Sequence, residues 1–277
     1  MQIGQPSRTA LRAAAHRAAH QLLEHGRVFH DPLAVQILGE DQGAIDLEAA
    51  GAPAPRGMRP FIAARTRFAE DAVAAAHARG TRQLAVLGAG LDTFAYRNPH
   101  DGLRVFEVDH PATQAWKRQR LAQAGIAAPE SLAFAPVDFE RVSLAEGLEA
   151  AGFDADAPTI FTWLGVVPYL TEQAVFATLG FIAGLPEGSE VVFTYSDPPG
   201  SMPAERAAAH RRRAGRVADL GEPWLTFFTP AALHPRLRAL GFGEIEDLNP
   251  TEVAIRYFGA PADTPDRQGG HLIRARI

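Results

Sequence analysis

Short apolar runs rich in β-branched and aromatic residues punctuate the chain at Gln83–Leu87, Arg104–Val108, Leu132–Val137, Thr159–Trp163, Glu190–Tyr195 and Glu244–Leu248. Runs of roughly 4–8 such residues bounded by turn formers predict strands, and apolar character on successive positions marks strands covered on both faces. Helix-like segments lie between most of them: Thr113–Ala124, Leu144–Ala150, Thr171–Leu185 and Pro230–Leu240. Strand–helix alternation predicts an α/β, doubly wound, mostly parallel sheet with helices on both faces. The end, His271–Ile277, alternates apolar and polar residues after a Gly/Pro-rich loop and completes seven strands.

Two regions depart from this rhythm. Before the first strand, Ser7 is positioned to cap an alanine-rich helix reaching about Glu24, because a serine oxygen can accept from an orphan first-turn amide. Residues 41–60 carry Gly43, Gly51, Pro53, Pro55, Gly57 and Pro60, a loop composition, and a second helix is expected over Phe61–Arg79. After the fifth strand, Pro198–Leu225 inserts a charged helical segment, Ala204–Leu220, where a lid would sit. We therefore expect one domain over 1–277: an N-terminal helical cap (1–60), a ligand-binding core (61–197), a lid insertion (198–229) and the C-terminal part of the sheet (230–277).

Composition narrows the function classes. The 277 residues are 47% hydrophobic and 21% charged, a folded globular balance. Net charge is −5 and Lys117 is the only lysine, so no basic footprint for nucleic acid stands out. The absence of cysteine excludes disulfides, thiolate metal sites and cysteine nucleophiles, and fits a reducing cytoplasm. Charged residues or prolines interrupt every alanine-rich stretch before it reaches membrane-spanning length. The first helix carries Arg8, Arg12 and Arg17 among its alanines, and that spacing suits an amphipathic helix better than a transit peptide. A cytoplasmic location with no membrane partner is expected; oligomeric state is open.

The strongest chemical signal is Leu84-Ala85-Val86-Leu87-Gly88-Ala89-Gly90-Leu91-Asp92-Thr93, a strand running into a glycine turn. Glycines there permit positive φ and close approach of backbone to a ligand. A second strand ends at Glu107-Val108-Asp109, where a carboxylate can accept from ribose hydroxyls. A dinucleotide fingerprint would place a third glycine near position 93, under the pyrophosphate. Here Asp92-Thr93 follow Gly90, and a carboxylate at that point repels a pyrophosphate. S-adenosylmethionine has no phosphate and carries a sulfonium and an ammonium, which acidic surroundings favour.

These motifs, with others in chain order, resemble the leucine carboxyl methyltransferase-like class I methyltransferases. The resemblance runs through Ser7-Arg8-Thr9-Ala10, Asp31-Pro32-Leu33-Ala34, Ala64-Arg65-Thr66-Arg67-Phe68, the glycine turn extended to Phe94-Ala95-Tyr96-Arg97, and Glu107-Val108-Asp109-His110-Pro111. It continues in Asp138-Phe139, Gly165-Val166-Val167-Pro168-Tyr169-Leu170, Ser196-Asp197-Pro198-Pro199, Gly221-Glu222-Pro223-Trp224 and Arg256-Tyr257-Phe258. It implies a last strand antiparallel to its neighbours and S-adenosyl-L-methionine as cofactor, with S-adenosyl-L-homocysteine as product. By motif, Arg65 would pair with the cofactor's methionine carboxylate, Gly88 would touch its backbone, Asp109 would hold the ribose, and Asp138 and Phe139 would bracket the adenine; Gly90 and Asp92 are further candidates for cofactor binding. One departure stands out: Leu164 occupies a position where many members have a glutamate before Gly-Val, so a contact to the cofactor ammonium is absent or supplied elsewhere.

The acceptor is less legible. The resemblance favours O-methylation of a carboxylate on a small molecule or peptide-like metabolite, a reaction that needs no general base because the acceptor is already ionised near neutrality. The alternatives are a phenol or alcohol O-methyltransferase of natural-product biosynthesis, for which His110 is the candidate base nearest the cofactor motifs, and a cofactor-binding protein without turnover. Tyr169, Arg212, Trp224 and Tyr257 are the candidate acceptor contacts. Arg211, Arg212, Arg213 and Arg216 could grip an anion or form a solvated helix face. Trp224, Phe227, Phe228 and Tyr257 could wall a pocket or fill core. His16 and His20 share zinc-like i,i+4 spacing, but lack the intervening glutamate of a metalloprotease motif, and no metal is expected.

Overall fold

Several helices begin where a side-chain oxygen or ring nitrogen meets the orphan amides of a first turn. In the computed structural model, which describes residues 7–42, 58–138, 142–219 and 221–277, Ser7 accepts from the Ala10 N–H at 3.1 Å and opens α1 (Arg8–Leu23). The long helix α2 covers Met58–Ala78, and α3 (Pro111–Gln123) is capped by His110 with proline in its first turn. A reciprocal capping box between Ser143 and Glu146 starts α4 (Leu144–Ala150), and Thr171 caps α5 (Glu172–Ala183). The lid segment forms α6 (Ala204–Ala218), and α7 spans Pro230–Leu240. Leu220, the expected end of α6, and residues 43–57 of the Gly/Pro-rich loop lie outside the described residues.

One helix was not anticipated. Asn249 accepts from the Thr251 and Glu252 amides while Glu252 reaches back to the Asn249 N–H, and Pro250 takes the first helical position of α8 (Pro250–Phe258). That capping box stands in the sequence, hidden by a stretch that otherwise reads as loop.

Seven strands form the sheet: β1 (Gln83–Leu87), β2 (Arg104–Asp109), β3 (Leu132–Pro136), β4 (Thr159–Trp163), β5 (Glu190–Ser196), β6 (Glu244–Leu248) and β7 (Gly270–Arg276), in the order β3-β2-β1-β4-β5-β7-β6. Pairs β1–β4, β2–β3 and β4–β5 are parallel, while β7 runs antiparallel to β5 and β6. Every residue of β1 and β4 is buried, which is why those strands read as unbroken apolar runs, whereas edge strand β6 is exposed or half-exposed throughout.

The chain divides into two compact units. The first, Met1–Asp71 with Gly88–Phe153, contains α1, most of α2, the glycine turn, β2, α3, β3 and α4. Its core packs Ala14, Ala15, Ala18 and Ala19 of α1 against Ile37, Leu38, Leu91 and Leu121, so the alanine richness of α1 reflects close helix approach. The second, Ala72–Leu87 with Asp154–Ile277, contains β1, β4 to β7, and helices α5 to α8. Phe193 and Phe161 are fully buried there, and Tyr195 nearly so.

Candidate functional site

The glycine turn after β1 is held by its backbone. Gly88 and Gly90 adopt left-handed φ values of 65° and 47°. The Gly88 and Ala89 amides both donate to the Val108 carbonyl, at 2.8 and 3.1 Å, pinning the turn to β2. The Gly90 amide donates to Asp109 Oδ2 at 2.5 Å, and the His110 amide donates to Asp109 Oδ1 at 2.7 Å. A Cβ on Gly90 would fall 2.9 Å from the Ala10 Cβ of α1, so glycine is required by the helix as well as by φ. Asp92 closes the turn: its amide donates to the Ala89 carbonyl and its Oδ1 accepts from the Phe94 amide at 2.8 Å. Burial pushes the Asp109 carboxyl up from its usual range, opposed by the two backbone donors and by Lys117.

Beneath this turn lies a closed ion pair. Lys117 Nζ is 2.8 Å from Glu107 Oε2, with both side chains 1% exposed. The Tyr96 hydroxyl donates to Glu107 at 3.3 Å, and Lys117 sits 5.3 Å from the Tyr96 ring centre. Burial drives the Glu107 carboxyl up to about 7, against the pull of Lys117. The chain's sole lysine is thus spent in the interior of an arginine-rich protein. Burial leaves room for a compact ammonium and little for the five-donor guanidinium fork.

The motif around Asp31 is a second buried hub. Asp31 is 1% exposed, and it accepts from the Leu33 amide at 3.0 Å and the Thr93 hydroxyl at 2.7 Å. Arg17 of α1 lies 3.7 Å away and also donates to the Leu91 carbonyl, while Arg97 lies 3.5 Å away and pairs bidentately with Glu70 of α2. The N-terminal cap is therefore tied by charge to the residues that follow Gly90. Sequence reasoning missed this role, although Asp31, Thr93 and Arg97 all stand in the family motifs.

All the described residues expected at the cofactor, Arg65, Gly88, Gly90, Asp92, Asp109 and Asp138, belong to the first unit. Hydrogen bonds join Gly90 directly to Asp109. Arg65 is half-buried on α2 between the buried Ala64 and Thr66, and Asp138 follows β3; Phe139 lies outside the described residues. His110 uses Nδ1 to accept from the Ala112 amide at 3.2 Å as the cap of α3.

The acceptor candidates belong to the second unit. Tyr169 is half-buried in the 3-10 turn Val167–Tyr169, to which the Leu225 amide is fastened through the Pro168 carbonyl at 2.6 Å. Leu164 follows β4, and the next amide, Gly165, donates to Thr194 at 2.8 Å. Tyr257 stands on α8 with the Arg256 guanidinium 5.5 Å from its ring centre. Arg212 is exposed, whereas its neighbour Arg213 is half-buried. Trp224 lies 4.9 Å, ring centre to ring centre, from His210 of α6. His210 was not singled out, since one histidine in a polar helix carries no signal of burial. Also unforeseen is a network at the sheet's other end, where Tyr195, His271 and His234 converge on Asp247. Among the described residues no helix is long and apolar enough to cross a membrane.

Comparisons with known proteins point to one family. The profile of the leucine carboxyl methyltransferase family matches residues 10–183. YktD of Bacillus subtilis (strain 168), provisionally named an S-adenosyl-L-methionine-dependent methyltransferase, is 32% identical over 211 residues, covering 74% of this chain and 68% of that protein. A protein of the same provisional name from Mycolicibacterium paratuberculosis (strain ATCC BAA-968 / K-10) is 36% identical over 174 residues, and there the match spans 61% of this chain and about half, 52%, of the relative. Among solved structures, one from Thermobifida fusca YX, described provisionally as a methyltransferase, superposes with a TM-score of 0.58 at 19% identity, covering 99% of this chain and 96% of the other. A DUF574 family protein from Streptomyces avermitilis MA-4680 gives 0.52 at 18% identity, covering 95% and 96%. At these identities the structural likeness is one of fold.

Proposed function

The chain belongs to the leucine carboxyl methyltransferase family, with the class I Rossmann-like fold of S-adenosylmethionine-dependent methyltransferases, and we propose that it methylates a carboxylate of a small acceptor to give a methyl ester. The observation that supports the methyl donor is the bond from the Gly90 amide to Asp109 Oδ2 at 2.5 Å, and the family match supports the carboxylate acceptor. In a phosphate-binding turn such an amide faces an anion of the ligand. Here the chain's own carboxylate takes that amide, and Asp92 adds a second negative charge two residues on, so the turn favours a cationic, phosphate-free nucleoside.

When bound, S-adenosylmethionine supplies the methyl group: the acceptor oxygen forms the new C–O bond as the C–S bond breaks, its electron pair staying on sulfur, with no proton to remove. The chain's residues would bind and orient. Arg65 would clamp the methionine carboxylate with its planar fork. Asp109, held rigid by two amides, keeps lone pairs for the ribose hydroxyls, and Asp138 would face the adenine edge together with Phe139. The capping bond of His110 supports a structural part for that histidine, in keeping with an acceptor that needs no base. Rate would arise from orientation and from stripping water off the acceptor oxygen.

Product chemistry tests the proposal. Incubation with methyl-labelled cofactor and a panel of metabolite carboxylates should give a product that releases labelled methanol under mild alkali. A product stable to alkali would replace the carboxylate reading with the phenol or alcohol one.

A further inference from the structure

Three side chains of the second unit, His210, Arg213 and Trp224, have polar atoms unused among the described residues, and Phe227 packs against His210. His210, on α6, is 9% exposed, and among the described residues neither of its ring nitrogens has a hydrogen-bond partner. The Trp224 indole N–H is likewise buried without an acceptor. Folded proteins pair nearly all such groups, with protein, water or a bound ligand. The rings around them are close: His210 lies 4.9 Å from Trp224 with planes at 53°, and 5.4 Å from Phe227 with planes at 59°.

Charge adds a direction. Arg213, one turn along α6, is half-buried and makes no ion pair or hydrogen bond among the described residues; its charged neighbour is Arg216. Burial, then the nearby Arg216, depresses its affinity for a proton, and burial with Arg213 does the same to His210. A desolvated guanidinium beside a neutral imidazole and an indole donor lacks an anion. Phe227 also borders an open recess of about 410 Å³ lined by Thr171, Glu172, Leu225 and Thr226. The carboxylate of Glu172 there is already taken by Arg236, so it does not serve Arg213.

We infer that His210, Arg213, Trp224 and Phe227 form a subsite for a planar aromatic carboxylate, its ring flanked by Trp224 and Phe227 and its carboxylate received by Arg213 and the His210–Trp224 donors. Binding of such a ligand does not depend on the carboxyl methyltransferase reading. The anion contact falls on half-buried Arg213 and on His210, whereas Arg212 is exposed. Entry of a ligand displaces Trp224 and Phe227 from the His210 ring, so Trp224 fluorescence reports it.

The full chain is titrated with 2-naphthoate, 2-naphthamide and decanoate, with and without S-adenosylhomocysteine, by calorimetry and Trp fluorescence. The naphthoate should bind at least tenfold more tightly than either control, since the amide lacks the charge and decanoate lacks the plane. Arg213→Gln should weaken the naphthoate at least tenfold and leave the amide within twofold. Arg216→Gln, the same charge change at an exposed position, should leave both within twofold. Equal affinity for all three ligands, an unaffected Arg213→Gln protein, or preference for 2-naphthyl phosphate over the naphthoate overturns the subsite. Binding of S-adenosylhomocysteine is read separately in the same samples: its failure would remove the methyltransferase reading while leaving the naphthoate result to stand or fall alone.

Discussion

The Gly90 amide donates its hydrogen to Asp109 Oδ2 at 2.5 Å, so the residue that shapes the turn and the residue expected at the ribose form one unit. Removing the carboxylate removes a charged acceptor and also releases the turn. Asp109→Ala should therefore raise the Kd for S-adenosylhomocysteine by about 10–100-fold, the range expected when a charge-assisted bond of roughly 1.5–3 kcal/mol is lost. Asp92→Asn, which keeps an oxygen for the Phe94 amide, should have a smaller effect. Calorimetry on folded variants checks both, and wild-type affinity in Asp109→Ala would place the ribose elsewhere.

Arg65 tests the other end of the cofactor. An ammonium retains charge but cannot reproduce a bidentate clamp. Arg65→Lys should lower kcat/KM for the cofactor by about tenfold or more, with thermal stability retained. Unchanged kinetics would assign Arg65 a purely structural part.

Legibility followed physical locality. The bounds of β1 and β4 stand in the sequence because central parallel strands are apolar on both faces, and Ser7 is visible because a cap acts on amides two or three residues away. Gly90 was legible as a turn residue, yet its need to clear Ala10 was not, since that contact arises only when α1 packs on the turn. The same holds for Asp31, whose partners Arg17, Thr93 and Arg97 come from three separate segments. Glu107 stands near the same strand end as Asp109 in the sequence and proves to be buried against Lys117. Only the singularity of that lysine hinted that the position has a special requirement.

That pair makes a prediction of its own. Removing one partner of a buried ion pair leaves an uncompensated charge, at a typical cost of about 3–5 kcal/mol, whereas replacing both can be nearly neutral. Lys117→Met should lower the urea midpoint strongly at pH 8, and Lys117→Met with Glu107→Gln should recover most of the loss. Because Glu107 titrates at about 7 in the folded chain against the usual 4.5, its folded form holds the proton more tightly than the unfolded chain. Its contribution is therefore fully present below pH 4.5 and is lost as pH rises through about 7. Glu107→Gln should flatten the urea midpoint over that interval. A pH dependence identical to wild type would mean that Glu107 is ionised throughout.

The network joining β5, β6 and β7 predicts the opposite pairing of signs within one cluster. Tyr195 and His271 stack with ring centres 4.5 Å apart. His271 Nδ1 is 2.9 Å from Asp247 Oδ1, and its Nε2 is 3.2 Å from Asp197 Oδ2. His234 of α7 reaches Asp247 Oδ2 at 2.7 Å, and the Tyr195 hydroxyl donates to the same oxygen. Burial works to lower the His271 pKa, but the two carboxylates prevail and raise it above its usual 6.5. For Asp247, burial works upward, and bonds from His271, Tyr195 and His234 carry the carboxyl below its usual 3.8. The raised histidine contributes stability that is fully present below pH 6.5 and is lost as pH rises through its folded pKa. The depressed aspartate contributes stability that is present above pH 3.8 and is lost as pH falls through its folded pKa. The cluster is thus strongest between those limits, where the imidazolium faces two carboxylates. His271→Gln should reduce the urea midpoint most near pH 5–6, with the gap to wild type narrowing above neutrality as the wild-type histidine loses its proton. Asp247→Asn should abolish that pH dependence, since it removes the carboxylate on Nδ1 and the acceptor shared with His234. A gap between His271→Gln and wild type that stays constant from acid to alkaline pH would mean that His271 is neutral in the folded chain and serves only as a hydrogen-bonding link between β5 and β6.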